Sequence, residues 1–167
     1  MVKKNIDNFD IFVFDFDGVL TNNMVYLSED NVESVQCSRS DGLAFDVLNR
    51  IDKRSIILST EKNQVVSRRA EKLKITAIQG VSSKVDEINK ISKEFDCELD
   101  KIVYVGNDLN DFLAMSICGL KICPADSHIR IKDLSDICLK TIGGHGIVRE
   151  ILEDIFDLDV LKLLYSN

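Results

Sequence analysis

The chain has 167 residues, of which 45% are hydrophobic and 29% are charged, a balance typical of a folded globular protein rather than a disordered, collagen-like or coiled-coil one. The 21 basic and 28 acidic residues give a formal net charge of −7, which argues against a nucleic-acid or anionic-membrane binder. An anionic substrate is still possible, because a metal ion or a few cations can hold it on an acidic protein. We expect a single domain over residues 1–167, with no nucleic-acid or membrane partner.

The ends and the cysteines of the chain point to an intracellular protein. Two lysines near the amino terminus are not followed by an apolar stretch, so no signal peptide is indicated. No segment approaches the roughly 20 apolar residues of a membrane helix. The five cysteines are odd in number and form no CxxC pair, which fits a reduced compartment. We therefore expect a cytoplasmic protein.

Short apolar segments alternate along the chain with longer amphipathic ones. Near-continuous apolar segments are typical of parallel strands covered on both faces, and the longer segments have the apolar spacing of helices. The predicted strands are 11–14, 55–58, 75–78, 102–105, 120–122 and 137–139, and the predicted helices are 43–51, 65–73, 85–95 and 147–156. The alternation predicts a doubly wound, Rossmann-like α/β fold with a parallel sheet of about six strands.

Residues 24–38 interrupt this alternation. They contain two short strand-like segments around a turn at 28–31, and they lie between the first strand and its helix. We expect them to project from the sheet as a β-hairpin. The first of the two segments, residues 24–27, is apolar on both faces, and an isolated two-stranded hairpin is marginal in water, so the hairpin is exposed unless it packs against something.

Polar or acidic residues follow each of the first four predicted strands of the sheet. In open α/β sheets ligands bind beyond the carboxyl ends of the strands, so these residues are expected to meet. Clustered carboxylates repel one another unless a cation lies among them, and oxygen ligands favour Mg²⁺ over zinc. A carboxylate nucleophile, a second carboxylic acid, Mg²⁺, a lysine and a hydroxyl together describe phosphoryl transfer. The residues concerned are Asp15, Asp17, Ser59, Lys84, Asn107, Asp108 and Asp111.

The motifs DFDGVLT at 15–21, Ser59 in IILST, Lys84, and GNDLND at 106–111 occur in this order and spacing over about 100 residues. In this pattern the chain resembles the haloacid dehalogenase (HAD) superfamily of phosphohydrolases. The spacings leave no space for a cap domain. The chain is most similar to the capless branch that includes 3-deoxy-manno-octulosonate 8-phosphate phosphatases and phosphatases of nine-carbon sugar acids of the acylneuraminate or KDN type. The hairpin at 24–38 and the segment GGHGIVRE at 143–150 match that branch.

The resemblance implies a role for each site residue. Asp15 attacks phosphorus and forms an aspartyl-phosphate, while Asp17 protonates the leaving oxygen and later takes a proton from water. Ser59 and Lys84 bind phosphoryl oxygens. Mg²⁺ is held by the Asp15 carboxylate, the Asp17 carbonyl and Asn107.

The resemblance also implies supporting residues and an assembly. Asp111 orients Lys84 or a metal-bound water, and Asp108 is a further supporting residue. The same resemblance implies a homotetramer built through the 24–38 hairpin and a small sugar phosphate as the substrate.

Two departures from the family pattern bear on the metal and the substrate. Asn107 stands where Asp is usual, which removes one negative charge from the metal site. Ser59-Thr60-Glu61 stands where octulosonate phosphatases usually have Thr-Gly-Arg, and Glu61 together with Lys72 resembles the relatives that act on nine-carbon acids. We therefore expect an eight- or nine-carbon 2-keto-3-deoxy sugar acid phosphate as the substrate.

Other interpretations of the same residues remain open at this point. Asp15 and Asp17 can be a strand-end cap, Ser59 a helix N-cap, and Glu61 with Lys72 a solvated pair. A signalling receiver domain also has acidic residues after its first strand, but its phospho-acceptor follows the third strand. A non-catalytic oligomerisation domain associated with nucleotide-sugar synthesis is the third possibility.

Overall fold

The structure is a computed structural model that describes residues 3–165. Its strands are β1 (Ile11–Phe14), β2 (Thr21–Leu27), β3 (Glu33–Cys37), β4 (Arg54–Leu58), β5 (Thr76–Ile78), β6 (Ile102–Val105), β7 (Leu120–Cys123) and β8 (Ile137–Cys138). Its helices are α1 (Arg39–Arg50), α2 (Val65–Leu73), α3 (Lys84–Glu94), α4 (Phe112–Ser116), α5 (Ile129–Leu134), α6 (Ile147–Glu150) and α7 (Val160–Tyr165).

Six strands form one parallel sheet in the order β5-β4-β1-β6-β7-β8, which confirms the predicted doubly wound α/β sheet. The strand β1 lies between β4 and β6, with Phe14 opposite Ile57 on one side and Val105 on the other. The loops that follow these three strands therefore lie side by side at the carboxyl edge of the sheet. Within residues 3–165, every helix is too short or too polar to cross a lipid bilayer.

Helices cover both faces of the sheet, and the alternation of side chains along β1 divides the core in two. Phe12 and Phe14 belong to the cluster that also contains Phe45 of α1, whereas Ile11 and Val13 belong to the cluster on the other face, which includes Ile88 of α3. These residues are almost completely buried, and burial of such side chains contributes about 1.5–3 kcal/mol each.

The hairpin predicted at 24–38 is formed by β2 and β3, which pair in antiparallel register with Val25 opposite Val35. Met24, Val25, Tyr26 and Leu27 are between 56% and 68% exposed, so the hairpin projects without cover from the rest of the described chain. It is the insertion between β1 and α1, and residues 3–165 contain no cap domain.

The loop that precedes α6 packs against the loop that follows β1. The N–H of Gly144 donates to the carbonyl oxygen of Val19 at 2.9 Å. A Cβ on Gly143 would lie only 2.1 Å from the carbonyl oxygen of Gly18, so a larger residue at this position would push the two loops apart. The turn after β1 is thus supported by main-chain contacts from the carboxyl-terminal part of the chain.

Asp41 in the first turn of α1 joins that helix to α6. Its side chain is buried, and Oδ1 accepts the N–H of Val148 at 2.9 Å, so the carboxylate caps the start of α6 from a neighbouring helix. Oδ2 has no hydrogen-bond partner within the described chain. Burial raises the pKa of Asp41 to about 6, although the N–H of Val148 and the charge of Arg69 act in the opposite direction.

The raised pKa of Asp41 predicts a pH-dependent effect of Asp41→Asn on stability. The folded state binds the proton of Asp41 more tightly than the unfolded state, so this contribution is fully present below the ordinary pKa of 3.8 and is lost as the pH rises through about 6. Between pH 5 and 7, the free energy of unfolding of the wild-type protein should fall by about 1 kcal/mol relative to that of the variant. Urea denaturation at both pH values measures the difference.

Asp46→Asn is the matched control, because Asp46 is an exposed residue of the same helix. Its difference from the wild-type protein should not change over this pH range. An Asp41→Asn difference that is equally constant would contradict the assignment.

Candidate active site

A cleft of about 320 Å³ opens at the carboxyl edge of the sheet, above β4, β1 and β6. It brings together side chains that the sequence analysis placed after three different strands. Its lining residues are Asp15, Asp17, Asn23, Ser59, Thr60, Asn107, Asp108, Leu109 and Asn110. The predicted convergence of Asp15, Asp17, Ser59 and Asn107 is therefore present in the structure.

Lys84 is the first residue of α3, and its side chain lies next to this cleft. Its Nζ lies 2.7 Å from Oδ1 of Asp15 and 2.7 Å from Oδ1 of Asp111, and all three side chains are at most 5% exposed. Burial alone would lower the pKa of Lys84, but Asp15 and Asp111 outweigh it and hold that pKa above its ordinary value. Lys84 is thus a buried ammonium shared by two carboxylates.

Asp111 holds both the side chain of Lys84 and the loop that follows β6. Its Oδ2 accepts the N–H of Asn107 at 2.9 Å and that of Asp108 at 3.3 Å, so the carboxylate closes the loop upon itself. A Cβ on Gly106 would lie 2.7 Å from Cβ of Asp111, and this close approach requires glycine. The predicted orientation of Lys84 by Asp111 agrees with these contacts.

Asn107 lies directly against the turn that follows Asp17. Gly18 has a φ of +78°, and a Cβ at this position would lie 2.0 Å from Nδ2 of Asn107, so only glycine allows this approach. Oδ1 of Asn107 is buried and has no hydrogen-bond partner within residues 3–165. A buried amide oxygen without a partner is costly, and a cation at this position would satisfy it.

Ser59 directly follows β4 and lines the cleft. Oγ accepts the N–H of Glu61 at 3.0 Å, which leaves the hydroxyl proton free to be donated to a ligand. The main chain of Ser59 is held by Ile78 and Val81, through contacts of 3.0 and 3.3 Å. The helix α2 starts at Val65, so Ser59 is not its N-cap.

The two aspartates after β1 both have raised pKa values. Burial raises the pKa of Asp15 to about 8, and the negative charge of Asp111 acts in the same direction, against the opposing effect of Lys84. Burial also raises the pKa of Asp17, and the carboxylates of Glu61 and Glu33 raise it further. The site therefore holds more negative charge than Lys84 neutralises, and it favours either a proton or a cation beside these groups.

The remaining predicted residues lie at the edge of the cleft or outside it. Asp108 lines the cleft, and its Oδ1 accepts the N–H of Leu109 at 2.7 Å. Oε1 of Glu61 accepts the N–H groups of Lys62 and Asn63 at 2.6 and 2.8 Å, which folds its carboxylate onto its own loop. Lys72 is exposed and lines a separate groove of about 340 Å³ between α2 and β3. Glu61 and Lys72 form no ion pair with each other in the described part of the chain.

Two residues near the site were missed by the sequence analysis. Tyr104 in β6 is fully buried, and its hydroxyl donates to Oδ1 of Asp111 at 2.9 Å. A tyrosine within an otherwise aliphatic strand was the available signal, because a buried phenol needs a hydrogen-bond partner. Asn23 lines the cleft beside Asp17 with a φ of +62°, and nothing in the sequence distinguished it from other hairpin residues.

The doubly wound sheet, the aspartates after β1 and the buried lysine agree with the HAD-type arrangement expected from the sequence. The family model of haloacid dehalogenase-like hydrolases matches residues 49–151. The chain belongs to this family and is a phosphatase, and residues 3–165 contain no cap domain. This membership excludes the receiver-domain alternative left open by the sequence.

The comparisons with known proteins point to one group within the family. The chain is 28% identical to the 3-deoxy-D-manno-octulosonate 8-phosphate phosphatase KdsC of Escherichia coli, over 91% of this chain and 81% of that protein. A solved structure of the phosphatase of the same name from Moraxella catarrhalis, in complex with magnesium, phosphate and KDO, has a TM-score of 0.86 and 27% identity and covers 95% of this chain and 88% of its own. A structure from Streptomyces avermitilis, described as a HAD family hydrolase, has a TM-score of 0.91 and 31% identity, with 95% and 91% covered.

Proposed function

We propose that residues 1–167 form a single Mg²⁺-dependent phosphatase domain that acts on the phosphate monoester of an eight- or nine-carbon 2-keto-3-deoxy sugar acid. The observation that carries the proposal is the buried contact of one ammonium, Lys84, with both Asp15 and Asp111, next to a cleft that is lined by Asp15, Ser59 and Asn107. The likeness to octulosonate phosphatases supports the substrate class.

The residues present fit a magnesium ion. Its ligands would be the carboxylate of Asp15, the carbonyl oxygen of Asp17 and the unpaired Oδ1 of Asn107, a set of oxygen donors of the kind that Mg²⁺ prefers. No cluster of three His, Cys, Asp or Glu side chains suitable for a metal occurs in residues 3–165, which agrees with a mixed set of carboxylate, amide and main-chain ligands. When bound, the ion neutralises charge on the phosphoryl group and keeps Asp15 ionised.

Asp15 and Asp17 divide the chemistry between them. The carboxylate of Asp15 attacks phosphorus, the bond from phosphorus to the sugar oxygen breaks, and Asp17 gives its proton to that oxygen. The raised pKa of Asp17 favours the protonated acid that this step needs. Water then attacks the aspartyl-phosphate while Asp17 takes its proton, which releases phosphate and restores both carboxyl groups.

Ser59 and Lys84 hold the phosphoryl group during both steps. The free hydroxyl proton of Ser59 and the third N–H of Lys84 donate to phosphoryl oxygens, since the other two N–H bonds of Lys84 are directed to Asp15 and Asp111. Asp111 and Asp108 keep the loop of Asn107 in place. The main contribution of these residues is positioning and neutralisation of charge.

The choice between eight and nine carbons rests on Glu61 and Lys72, which we assign to recognition of the sugar acid. The carboxylate of Glu61 is near enough to Asp17 to raise its pKa, and we place the leaving sugar on this side of Asp17. Lys72 is an exposed ammonium in the groove beside β3, where it suits a carboxylate. This assignment favours the nine-carbon acid.

Purified protein with Mg²⁺ should have a higher kcat/KM for both sugar acid phosphates than for p-nitrophenyl phosphate. The kcat/KM for the nine-carbon ester should exceed that for the eight-carbon ester.

Asp15→Asn should reduce every rate by about 1,000-fold or more, because the nucleophile is lost. Asp10→Asn is the control, since Asp10 is exposed just before the amino end of β1, and it should retain full activity. Equal activity of Asp15→Asn and wild-type protein would refute the mechanism, and a preference for the eight-carbon ester would refute the assignment of Glu61 and Lys72.

The ligand role of Asn107 predicts that Asn107→Asp binds Mg²⁺ about fivefold or more tightly, because a carboxylate adds a negative charge to the ligand set. Calorimetric titration with MgCl₂ measures this without turnover. Asn110→Asp is the matched control, since Asn110 lines the same cleft and the substitution adds the same charge. Equal tightening in the two variants would show a general charge effect and would remove Asn107 from the ligands.

We assign the exposed hairpin to the interface of a homotetramer, because its side chains at 24–27 are mostly solvent-exposed and apolar. The double variant Tyr26→Glu with Leu27→Lys places charges on this surface without altering the net charge, so the tetramer should dissociate to a smaller species in light scattering. Leu161→Lys changes an equally exposed apolar residue of α7 and should leave the tetramer intact. A wild-type monomer at micromolar concentration, or a tetramer in all three proteins, would contradict the assignment.

A further inference from the structure

Tyr104 contributes a buried hydroxyl to the floor of the site. It lies in β6, two residues before Gly106, and its side chain is fully buried. The hydroxyl donates to Oδ1 of Asp111 at 2.9 Å, and the same oxygen accepts a hydrogen bond from Nζ of Lys84 at 2.7 Å. Tyr104 and Lys84 therefore share one acceptor atom.

The carboxylate of Asp111 is saturated by this arrangement. An ionised carboxylate can accept about four hydrogen bonds. Asp111 accepts one from Tyr104 and one from Lys84 at Oδ1, and one each from the main chain of Asn107 and Asp108 at Oδ2. Without the tyrosine hydroxyl, Lys84 would be the one remaining side-chain donor to Oδ1. The negative charge on that oxygen would then attract Lys84 alone.

The ring of Tyr104 does not require the hydroxyl for its packing. It belongs to the apolar cluster on the α3 side of the sheet, together with Val13 and Ile88. A phenylalanine would fill the same space, and a buried hydroxyl costs free energy unless it is paired. The hydroxyl of Tyr104 therefore affects the site through its hydrogen bond to Asp111, and the packing of the ring does not depend on it.

We propose that Tyr104 is a positioning residue, which through Asp111 keeps Lys84 available to the phosphoryl group; this role rests on the phosphatase function proposed above. Lys84 has three N–H bonds, and Asp15 and Asp111 each take one. Because the hydroxyl of Tyr104 also donates a hydrogen bond to Oδ1, it weakens the electrostatic attraction between Asp111 and the ammonium of Lys84. The ammonium then stays between the two carboxylates, with its third N–H directed to the ligand.

Tyr104→Phe tests the proposal, because it removes the hydroxyl and keeps the ring. In the presence of Mg²⁺, calorimetry with inorganic phosphate should give a dissociation constant about fivefold or more above that of the wild-type protein, with a parallel rise in KM for p-nitrophenyl phosphate. A loss of folded protein alone would lower the apparent kcat and the number of sites, and would leave the dissociation constant and KM unchanged.

Ser55→Ala is the matched control. Ser55 carries a buried hydroxyl in β4 that has no partner within the described residues, so its removal deletes a buried oxygen away from the site. Phosphate affinity and KM of this variant should equal those of the wild-type protein. Wild-type phosphate affinity in Tyr104→Phe would overturn the role of Tyr104. Phosphate binding without turnover by the wild-type protein would overturn the phosphatase function separately.

If Tyr104→Phe does not fold, the wild-type protein supplies the same information. The chain has three tyrosines, and Tyr26 and Tyr165 are 68% and 77% exposed in the single chain. The variants Tyr26→Phe and Tyr165→Phe identify the signals of these two residues, so the remaining signal from ¹³Cζ-labelled tyrosine belongs to Tyr104. That signal should shift when phosphate binds in the presence of Mg²⁺, whereas the two exposed signals should not. A stationary signal for Tyr104 would contradict the proposal.

Discussion

One buried ammonium between two buried carboxylates is the constraint on which the rest of the site depends. Lys84 satisfies Asp15 and Asp111 at 2.7 Å each, and none of the three side chains has appreciable contact with water. Charges buried in this way are tolerated only when they are paired and hydrogen-bonded. Two negative groups and one positive group leave one negative charge in excess, and the charge of Asp111 adds to the larger effect of burial in raising the pKa of Asp15. A cation beside Asp15 neutralises this excess negative charge, so the charge balance of the buried groups favours a bound metal ion.

The sheet order brings these groups together with little additional structure. Since β1 lies between β4 and β6, Asp15 has Ser59 on one side and Asn107 on the other, and each side chain needs only to leave the end of its own strand. Lys84 comes from the start of α3, a helix that packs beneath the same edge. Gly18 then allows the loops after β1 and β6 to approach each other more closely than a side chain would permit, and Gly106 allows the loop after β6 to fold back upon itself.

Periodicity in the sequence was sufficient for the sheet, the hairpin and the motif residues, because strand ends and apolar spacing are local properties. The helices α4, α5 and α7 were not predicted, since 5 or 6 residues are too few to display a helical period. The contacts of Asp41 and Tyr104 could not be predicted either. Asp41 meets a main-chain N–H 107 residues away, and the partner of Tyr104 is defined only once the loop of Asp111 has folded back over β6.

The turn after β1, which carries Asp17, contacts other parts of the chain on two sides and is open on the third. The side chain of Asn107 lies against Gly18, and the main chain of Gly143 and Gly144 lies against Gly18 and Val19, so the position of Asp17 is set by contacts that do not depend on a cap domain. The third side faces the hairpin, where Asn23 begins the rim of the cleft. In the mechanism proposed above, hydrolysis of the phosphoryl intermediate needs water, whereas attack by Asp15 benefits from its exclusion. In the homotetramer proposed above, the exposed apolar hairpin would let a second copy of the chain supply that partial cover.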